Sequence, residues 1–373
     1  MEISREILTA EGYTFPFEGE AHAGVIVELP YRTDVWRESA LPAAREFAGV
    51  ISAIAEFEPV FVACDARAEA LYPALVAKLR ATPNVAVIPA RYDDSWARDN
   101  VPVFVKNRDG KVAAIDFGFN AWGGTYNGLY SSWADDDALG RTLVEEKLGY
   151  SRLIDKGFIL EGGSIHTDGQ GTLLTTAECL LSKGRNPDLT KEQIEAELKA
   201  TLGVKKVIWL PYGVYRDETT GHVDNIACFL DATHVLLGFP VGDRDPQYRR
   251  SKADEEVLKG ETNAAGQPLE VIRMPMPGPL FATAREAEGL TSIDGSKPRL
   301  AGSRLAGSYV NFLMGEKYII LPAFNCPEDK RAMKILENFY GDTKRIIQVP
   351  GREILLGGGN IHCITKQIPQ GGK

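Results

Sequence analysis

Short apolar segments rich in β-branched residues recur along the chain and alternate with segments of helical periodicity. The β-like segments are residues 24–29, 59–62, 85–88, 207–210, 235–238 and 318–321, bounded by Gly, Pro or Asp. Between them, residues 43–55, 66–81, 191–202 and 329–339 carry apolar side chains at three- and four-residue spacing. No low-complexity linker divides the chain. This alternation predicts an α/β fold, but some neighbouring strands look hairpin-linked, so a plain parallel doubly wound sheet is not required.

Two local signals refine the helical segments. Pro73 lies inside residues 66–81, where it predicts either a kink or the true start of the helix. Thr190 precedes residues 191–202 and is followed by Gln193, a spacing that predicts a capping box at the start of that helix.

Four polar or glycine-rich segments follow apolar runs at regular intervals. Asp99, Glu161 and His222 are 62 and 61 residues apart, and Cys363 follows His222 by 141, about twice 70. Units of about 60–75 residues, each offering one loop to a shared centre, would produce this spacing, as repeat architectures do. A length of 373 residues suits either two domains or one large domain built of repeats.

The segment around Cys363 favours a nucleophile. Gly357, Gly358 and Gly359 are followed by Asn360, so the backbone bends tightly or approaches another group closely. A lone cysteine is more often a buried structural residue. The glycine run and the neighbouring polar groups favour a reactive thiol instead.

The other three segments each have an ordinary interpretation besides the functional one. The segment containing His222 is more often a solvated turn, and since no second His lies at ligand spacing we predict no metal site. Glu161 precedes two glycines, as in a simple β-turn, and residues 168–171 predict a hairpin turn in which His166 is structural. Residues 93–100 could be a surface turn with an ion pair, or a carboxylate pocket with an aromatic wall that suits a planar cation.

Taken together, a cysteine, a histidine and several carboxylates suit the chemistry of a guanidinium group. A guanidinium is planar, permanently charged and presents N–H donors in a fixed fork, which carboxylates bind bidentately. Its carbon is a poor electrophile, so fixing it beside a thiolate supplies the orientation that the reaction needs. The cationic substrate and an imidazolium would also favour the thiolate over the thiol.

The composition of the chain indicates which binding partners and which cellular compartment to expect. The net charge of −9 gives no electrostatic affinity for phosphate backbones, so we expect no nucleic-acid partner, and it suits a cationic substrate. The five cysteines are scattered without a C-x-x-C pair, which argues against a zinc cage and for a reducing compartment. We expect no signal peptide and no membrane span, and therefore a cytoplasmic protein.

Long ordered motifs resemble those of the agmatine deiminase family in the guanidine-modifying superfamily. The motifs are DDSWARD at 93–99, LEGGSIHTDGQGTLLTTAECLL at 160–181, DETTGHVDN at 217–225 and GGGNIHCIT at 357–365, with RDPQYRRS at 244–251, MPGPLF at 276–281 and SYVNF at 308–312. The resemblance covers the chain from about Gly12 to Pro369.

The resemblance implies a fold, a reaction and a set of partners. The fold would be a five-bladed α/β propeller (pentein) with pseudo-fivefold symmetry, one catalytic domain over residues 1–373 of five repeats, with the active site on the central axis. The reaction would convert agmatine and water into N-carbamoylputrescine and ammonia, a step of putrescine and polyamine biosynthesis, through an amidino-cysteine intermediate. The family uses no metal or organic cofactor, and it suggests a homodimer.

The resemblance also implies roles for single residues. Cys363 would attack the guanidinium carbon, and His222 would protonate the departing ammonia and then activate water. Asp99 and Asp224 would bind the guanidinium nitrogens, and Glu161 would orient His222 and contact the substrate.

Three further residues would bind the rest of the substrate. Trp96 would pack along the apolar tether, and Asp217 and Glu218 are the candidates to bind the distal ammonium. A carboxylate there would attract agmatine and repel the α-carboxylate of arginine.

The sequence departs from the family pattern at two positions, and three other functions are alternatives to agmatine hydrolysis. Val101 stands where family members commonly have Gly, and Lys366 interrupts a run that is usually richer in Gln. The alternatives are an arginine or peptidyl-arginine deiminase, an amidinotransferase, and a binding protein without catalysis. The intact set of Cys363, His222 and the three carboxylates argues against the last.

Overall fold

The computed structural model describes residues 2–293 and 295–372. The first nine strands are β1 (His22–Glu28), β2 (Val60–Cys64), β3 (Val85–Pro89), β4 (Val103–Lys106), β5 (Val112–Gly118), β6 (Ser151–Ile159), β7 (His166–Thr167), β8 (Thr172–Thr176) and β9 (Lys206–Leu210). The others are β10 (Ala227–Phe229), β11 (His234–Phe239), β12 (Glu270–Pro275), β13 (Leu280–Phe281), β14 (Arg304–Leu305), β15 (Leu313–Met314), β16 (Tyr318–Ala323), β17 (Arg345–Pro350) and β18 (Thr365–Pro369).

Helices of very different length connect these strands. The α-helices are α1 (Arg5–Ala10), α2 (Leu41–Ala55), α3 (Ala66–Leu71), α4 (Pro73–Arg80), α5 (Ala97–Asn100), α6 (Gly124–Asn127), α7 (Ala134–Asp137), α8 (Ala177–Leu180), α9 (Lys191–Leu202), α10 (Pro246–Gly260), α11 (Ala284–Glu288), α12 (Glu328–Tyr340) and α13 (Arg352–Gly357). Short helical turns also occur at Gly162–Ser164 and Val223–Asn225. None of the helices described is long and apolar enough to span a membrane.

Five sheets share one pairing pattern. In the sheets β4-β5-β6, β7-β8-β9, β10-β11-β12 and β15-β16-β17, the first strand is antiparallel to the second and the second is parallel to the third. The remaining large sheet has the order β18-β1-β2-β3, in which β18 is antiparallel to β1 and the other pairs are parallel. The last strand of the chain therefore completes the sheet that the first strand begins. Strands β13 and β14 form a separate two-stranded ribbon.

The parallel pair in each sheet requires a crossover connection, and helices supply it. Helix α2 joins β1 to β2, α9 precedes β9, α10 joins β11 to β12, and α12 joins β16 to β17. On α2 the apolar side chains of Phe47, Ile51 and Ile54 are fully buried. Burying each such side chain contributes about 1.5–3 kcal/mol, so the apolar face fixes the helix against its sheet.

The strands and helices confirm the α/β class and most of the elements predicted from the sequence. Each predicted β-like segment overlaps a strand, and three of the four helical segments correspond to α2, α9 and α12. The fourth, residues 66–81, is two helices, because the chain leaves helical geometry at Tyr72 and α4 starts at Pro73. The capping box of Thr190 and Gln193 is present at the start of α9.

Candidate active site

The four polar segments and Asn311 lie on five connections, each of which leads from the last strand of one of the five large sheets to the first strand of the next. Asp99 lies between β3 and β4, and Glu161 lies between β6 and β7. His222 lies between β9 and β10, and Cys363 lies between β17 and β18. Asn311 lies between β12 and β15 and supplies the remaining loop. The long interval from His222 to Cys363 therefore contains one further loop of the same kind.

Cys363 is buried and in contact with side chains from two other loops. The Nδ2 of Asn311 lies 3.2 Å from its Sγ, and its backbone N–H donates to Oδ1 of Asn311 over 3.2 Å. The Sγ also lies 3.7 Å from Oδ2 of Asp224. Burial raises the pKa of the Cys363 thiol well above its ordinary value, and the charges of Asp224 and Asp99 raise it further. Without a substrate the residue is therefore a thiol at neutral pH.

His222 lies between two carboxylates and donates a hydrogen bond to neither. Its Nδ1 is 3.8 Å from Oδ2 of Asp99, and its Nε2 is 3.8 Å from Oε2 of Glu161. Neither ring nitrogen has a hydrogen-bond partner among the described residues. Burial works to lower the pKa of His222, but Asp99 and the other anionic groups outweigh it, so the pKa lies well above its ordinary value. The ring is an imidazolium at neutral pH.

Asp99 and Asp224 are oriented by different partners. Oδ2 of Asp99 accepts from the indole of Trp122 over 2.9 Å, and Oδ1 accepts from the backbone N–H of Gly163 over 2.8 Å. Oδ2 of Asp224 lies 2.9 Å from Nδ1 of His362, whereas its buried Oδ1 has no hydrogen-bond partner among the described residues. Asp224 thus keeps one carboxylate oxygen free to accept a hydrogen bond.

Glu161 is paired with an arginine that the sequence motifs did not single out. The Nε of Arg185 lies 2.7 Å from Oε1 of Glu161, and both side chains are fully buried. Arg185 is held in turn by the carbonyls of Trp122 and Thr219, each 2.7 Å away. Although burial works to raise the pKa of Glu161, Arg185 and His222 lower it to about 2. The Glu161 side chain is therefore a carboxylate at every physiological pH.

Two glycines allow these groups to approach one another. A Cβ on Gly163 would lie 2.5 Å from Nδ1 of His222 and 2.8 Å from Oδ1 of Asp99. A Cβ on Gly359 would lie 2.4 Å from the Trp96 ring and 3.1 Å from Sγ of Cys363. The close backbone approach expected from the glycine run is present, and it occurs beside Cys363.

A cavity of about 640 Å³, partly open to solvent, leads to Cys363 and Asp99. Its walls include Trp96 and Trp122, whose ring centroids are 6.4 Å apart. The Trp96 indole N–H donates to Asp94 over 2.8 Å, and its ring stacks on Trp36 at 5.2 Å. The cavity thus combines a charged inner end with rigid aromatic walls.

The two carboxylates proposed for the distal ammonium lie in different places. Glu218 lines the cavity and forms an ion pair of 2.6 Å with Arg299, which lines it too. Asp217 does not line it: its Oδ2 accepts from Thr219 Oγ1 over 2.7 Å and from the backbone N–H of His222 over 3.1 Å. The Asp217 carboxylate therefore holds the loop that carries His222, and the structure brings only Glu218 to the cavity.

One group of side chains has ligand atoms close enough for a metal ion. Atoms of Glu161, Cys179 and His222 lie within 4.8 Å of one another, and all three residues are buried. The guanidinium of Arg185, 2.7 Å from Glu161, would repel a cation there. The charges around this group thus favour an ion pair with Arg185 over a bound metal.

A model of the Porphyromonas-type peptidyl-arginine deiminase family matches residues 14–369 of the chain. The chain belongs to this family. It is 47% identical to the agmatine deiminase of Stutzerimonas stutzeri and 46% identical to that of Pseudomonas aeruginosa, in each case over 96% of both chains. The agmatine deiminase of Enterococcus faecalis has the same fold, with a TM-score of 0.92 at 35% identity over 97% of each chain. The resemblance to agmatine deiminases is confirmed.

The two departures from the family pattern are accommodated in different ways. Val101 has φ −83° and ψ 135°, a conformation open to any residue, so the position does not require glycine. Lys366 is buried, and its Nζ lies 3.2 Å from the carbonyl of Arg98. Burial and the neighbouring Arg98 lower the pKa of Lys366 to about 7. Neither residue displaces Asp99.

Proposed function

We propose that this protein hydrolyses agmatine to N-carbamoylputrescine and ammonia, with Cys363 as the nucleophile. The observation that carries the proposal is the position of the Cys363 thiol, 3.7 Å from Asp224 at the inner end of a cavity that Asp99 also lines. A thiol between two carboxylates has the geometry to receive a guanidinium carbon. The agmatine deiminases at 46% and 47% identity support agmatine as the source of that group.

Two carboxylates bind the guanidinium in this proposal. The free Oδ1 of Asp224 accepts from one nitrogen, and Asp99 accepts from another. These carboxylates raise the pKa of the empty enzyme's thiol, and the charge of the guanidinium offsets them. Substrate binding therefore lowers the pKa of Cys363, and the thiolate forms where the electrophile is already oriented.

The reaction then proceeds in two halves. The Cys363 sulfur bonds to the guanidinium carbon, and the bond to one terminal nitrogen breaks as His222 donates its proton to the departing ammonia. An amidino-thioether on Cys363 remains. The neutral His222 next takes a proton from water, whose oxygen attacks the same carbon. The carbon–sulfur bond breaks, the proton of the added hydroxyl passes to the leaving sulfur, N-carbamoylputrescine leaves, and Cys363 returns as a thiol.

Glu161 supports this cycle through its charge. It remains ionised beside Arg185 and, with Asp99, favours the imidazolium form of His222. We assign Glu161 to orienting His222 and to contacting the substrate.

The outer part of the cavity suits the rest of agmatine. Trp96 and Trp122 provide an apolar wall for the four-carbon tether, and Glu218 provides the carboxylate on the wall for the distal ammonium. Arginine would bring its α-carboxylate towards Glu218, so we expect it to bind poorly although Arg299 offsets part of the repulsion. Asp217, which is engaged within its own loop, is the weaker candidate for the ammonium.

We also propose that the five sheets form a pentein, a five-bladed propeller within one catalytic domain over residues 1–373. Its support is the shared pairing pattern, together with five loops that bring Asp99, Glu161, His222, Asn311 and Cys363 to one place. The family resemblance favours a homodimer working in the cytoplasm in putrescine biosynthesis, without a metal or organic cofactor. Light scattering of the purified protein tests the dimer.

An ammonia-release assay over agmatine, arginine and a peptidyl-arginine substrate tests the proposed reaction. We expect ammonia from agmatine alone, and mass spectrometry should identify N-carbamoylputrescine. Comparable kcat/KM for arginine would contradict the role of Glu218. Formation of a transferred amidino product in the presence of an added amine would favour the amidinotransferase alternative.

A further inference from the structure

Glu18 is a buried carboxylate that none of the motifs contains. It lies in the segment between α1 and β1, and its side chain is only 3% exposed. Its oxygens lie 2.9 and 3.0 Å from Nε2 of His362, and one accepts from Nη1 of Arg98 over 2.9 Å. The Nε2 of His166 is 3.5 Å away. One carboxylate from the N-terminal segment thus contacts side chains of three different loops.

Each of these three loops also carries a residue of the proposed mechanism. Arg98 directly precedes Asp99, and His362 directly precedes Cys363. His166 begins the strand that follows the Glu161 loop. Glu18 therefore links the backbones that present the guanidinium-binding carboxylate, the nucleophile and the partner of His222.

His362 extends this contact to a fourth loop. Its Nδ1 lies 2.9 Å from Oδ2 of Asp224, while its Nε2 contacts Glu18. Asp224 is thus held through one oxygen, and its buried Oδ1 has no hydrogen-bond partner among the described residues. A buried carboxylate with one oxygen fixed by an imidazole has a defined direction in which it can accept from a ligand.

We propose that Glu18 and His362 are positioning residues, and that the chain Glu18–His362–Asp224 sets the orientation in which Asp224 binds the guanidinium. This inference rests on the proposed function, since it concerns the same substrate. It assigns a role to His362 that differs from that of its neighbour Cys363, because His362 fixes Asp224 whereas Cys363 attacks the substrate.

The charges of the cluster agree with this arrangement. Burial works to raise the pKa of Glu18, but His362, Arg98 and His166 together hold it well below its ordinary value. For His362, burial and Arg98 lower the pKa, whereas Glu18 and Asp224 raise it by a larger amount. An imidazolium at this position donates a hydrogen bond from each ring nitrogen, one to Glu18 and one to Asp224.

Two substitutions of His362 separate the two links. The amide nitrogen of an asparagine takes approximately the place of Nδ1, and that of a glutamine takes approximately the place of Nε2. His362→Asn therefore keeps a donor towards Asp224, and His362→Gln keeps a donor towards Glu18 but leaves Asp224 without one. His234→Gln is the matched control, because His234 also lies between two carboxylates, Asp231 and Glu270, on the surface.

The measurement is the Kd of agmatine in the Cys363→Ala background, by calorimetry, together with the Tm of each variant. Because a charge-assisted hydrogen bond is lost, we expect His362→Gln to weaken binding about 10- to 100-fold. His362→Asn should weaken it less, and His234→Gln should leave it unchanged. In the active enzyme, Glu18→Gln should lower kcat/KM about tenfold. Glu20→Gln, a control on the same segment whose half-buried side chain pairs with Lys106, should leave kcat/KM unchanged.

Two results would overturn the inference. One is an unchanged Kd in His362→Gln. The other is an equal loss of affinity in both His362 variants that follows a parallel fall in Tm, since that pattern belongs to a purely structural residue. Failure of the proposed function looks different: the wild-type protein would then release no ammonia from agmatine. Wild-type turnover with unchanged binding in His362→Gln contradicts the positioning role alone.

Discussion

The thiol of Cys363, the proposed nucleophile, contacts Asn311, which lies on a loop without any residue assigned to the proposed mechanism. Asn311 lies 3.2 Å from Sγ of Cys363 through Nδ2 and accepts from the backbone N–H of the same residue. Its amide works to lower the pKa of the thiol, against the effect of burial and of the two aspartates. Asn311 therefore contributes to thiolate formation once the substrate is bound.

Substitution of Asn311 tests this contribution. Asn311→Ala removes the donor to sulfur and should lower kcat for agmatine about tenfold. Asn311→Asp, which places a carboxylate against the sulfur, should lower it further, because a like charge opposes the thiolate. Steady-state ammonia release measures both effects. Equal kcat for the wild type and Asn311→Asp would show that Asn311 does not contribute to thiolate formation.

In the proposed mechanism, Glu161 helps to set the pH range in which His222 acts as an acid. His222 donates a proton only as an imidazolium, and this form is lost as the pH rises through its pKa. Burial lowers that pKa, while Asp99 and Glu161 raise it. Glu161→Gln should therefore move the alkaline limb of the kcat/KM profile to lower pH by about one unit.

Glu69→Gln is a control for this pH profile, because Glu69 is also paired with an arginine, Arg80, but on the surface. It should leave the alkaline limb in place. An alkaline limb at the same pH in Glu161→Gln as in the wild type would show that Glu161 does not set the protonation of His222.

At the scale of the element, the loop between α13 and β18 depends on the absence of a side chain. A Cβ at position 359 would lie 2.4 Å from the Trp96 ring and 2.9 Å from Cβ of Cys363, distances that force a shift. Gly359→Ala should cost about 1–3 kcal/mol of stability. It should also lower kcat/KM about tenfold or more, since a small misplacement of the reacting groups is sufficient.

Gly49→Ala provides the matched control in helix α2. A Cβ at position 49 would meet nothing within 4 Å, and helix interiors favour alanine over glycine by about 0.5–1 kcal/mol. Its Tm should therefore rise slightly and its activity should not change. If Gly359→Ala behaved like Gly49→Ala, the close packing of the nucleophile loop would be irrelevant to the reaction.

The elements were predictable wherever the signal was local. The capping box of Thr190 and the interruption at Pro73 depend on neighbouring residues, so the sequence contains them directly. The contacts between residues of the candidate site could not be predicted in this way, because they join segments that are distant in sequence. Arg185 contacts Glu161 across 24 residues and Asn311 contacts Cys363 across 52, and nothing in either segment indicates its partner. The one signal for Asn311 was the double interval between His222 and Cys363, together with the SYVNF motif.

At the scale of the whole molecule, the spacing of the polar segments predicted repeated units, and the shared pairing pattern of five sheets supports that proposal. Each of the five sheets has an antiparallel pair and a parallel pair with a helical crossover, and the connection to the next sheet carries a residue of the proposed site. The sequence could not separate Asp217 from Glu218, since both stand in the same turn. Their assignments differ because one side chain folds back onto its own loop and the other faces the cavity.

The net charge of −9 should increase the association rate of a cationic substrate. We expect kcat/KM for agmatine to fall about two- to tenfold from low to high NaCl, because salt screens the attraction. The kcat should change little. A sucrose series of matched viscosity controls for diffusion. A kcat/KM that is independent of salt would show that the charge of the molecule does not steer the substrate.

Nucleophilic attack by Cys363 is the central claim, and Cys363→Ala tests it most directly. The variant should have the Tm of the wild type and bind agmatine in calorimetry, because Asp99, Asp224 and Glu218 remain. It should release no ammonia, and only the wild type, quenched during turnover, should carry an adduct on Cys363 equal to agmatine less ammonia. Ammonia release by Cys363→Ala at the wild-type rate would contradict the account.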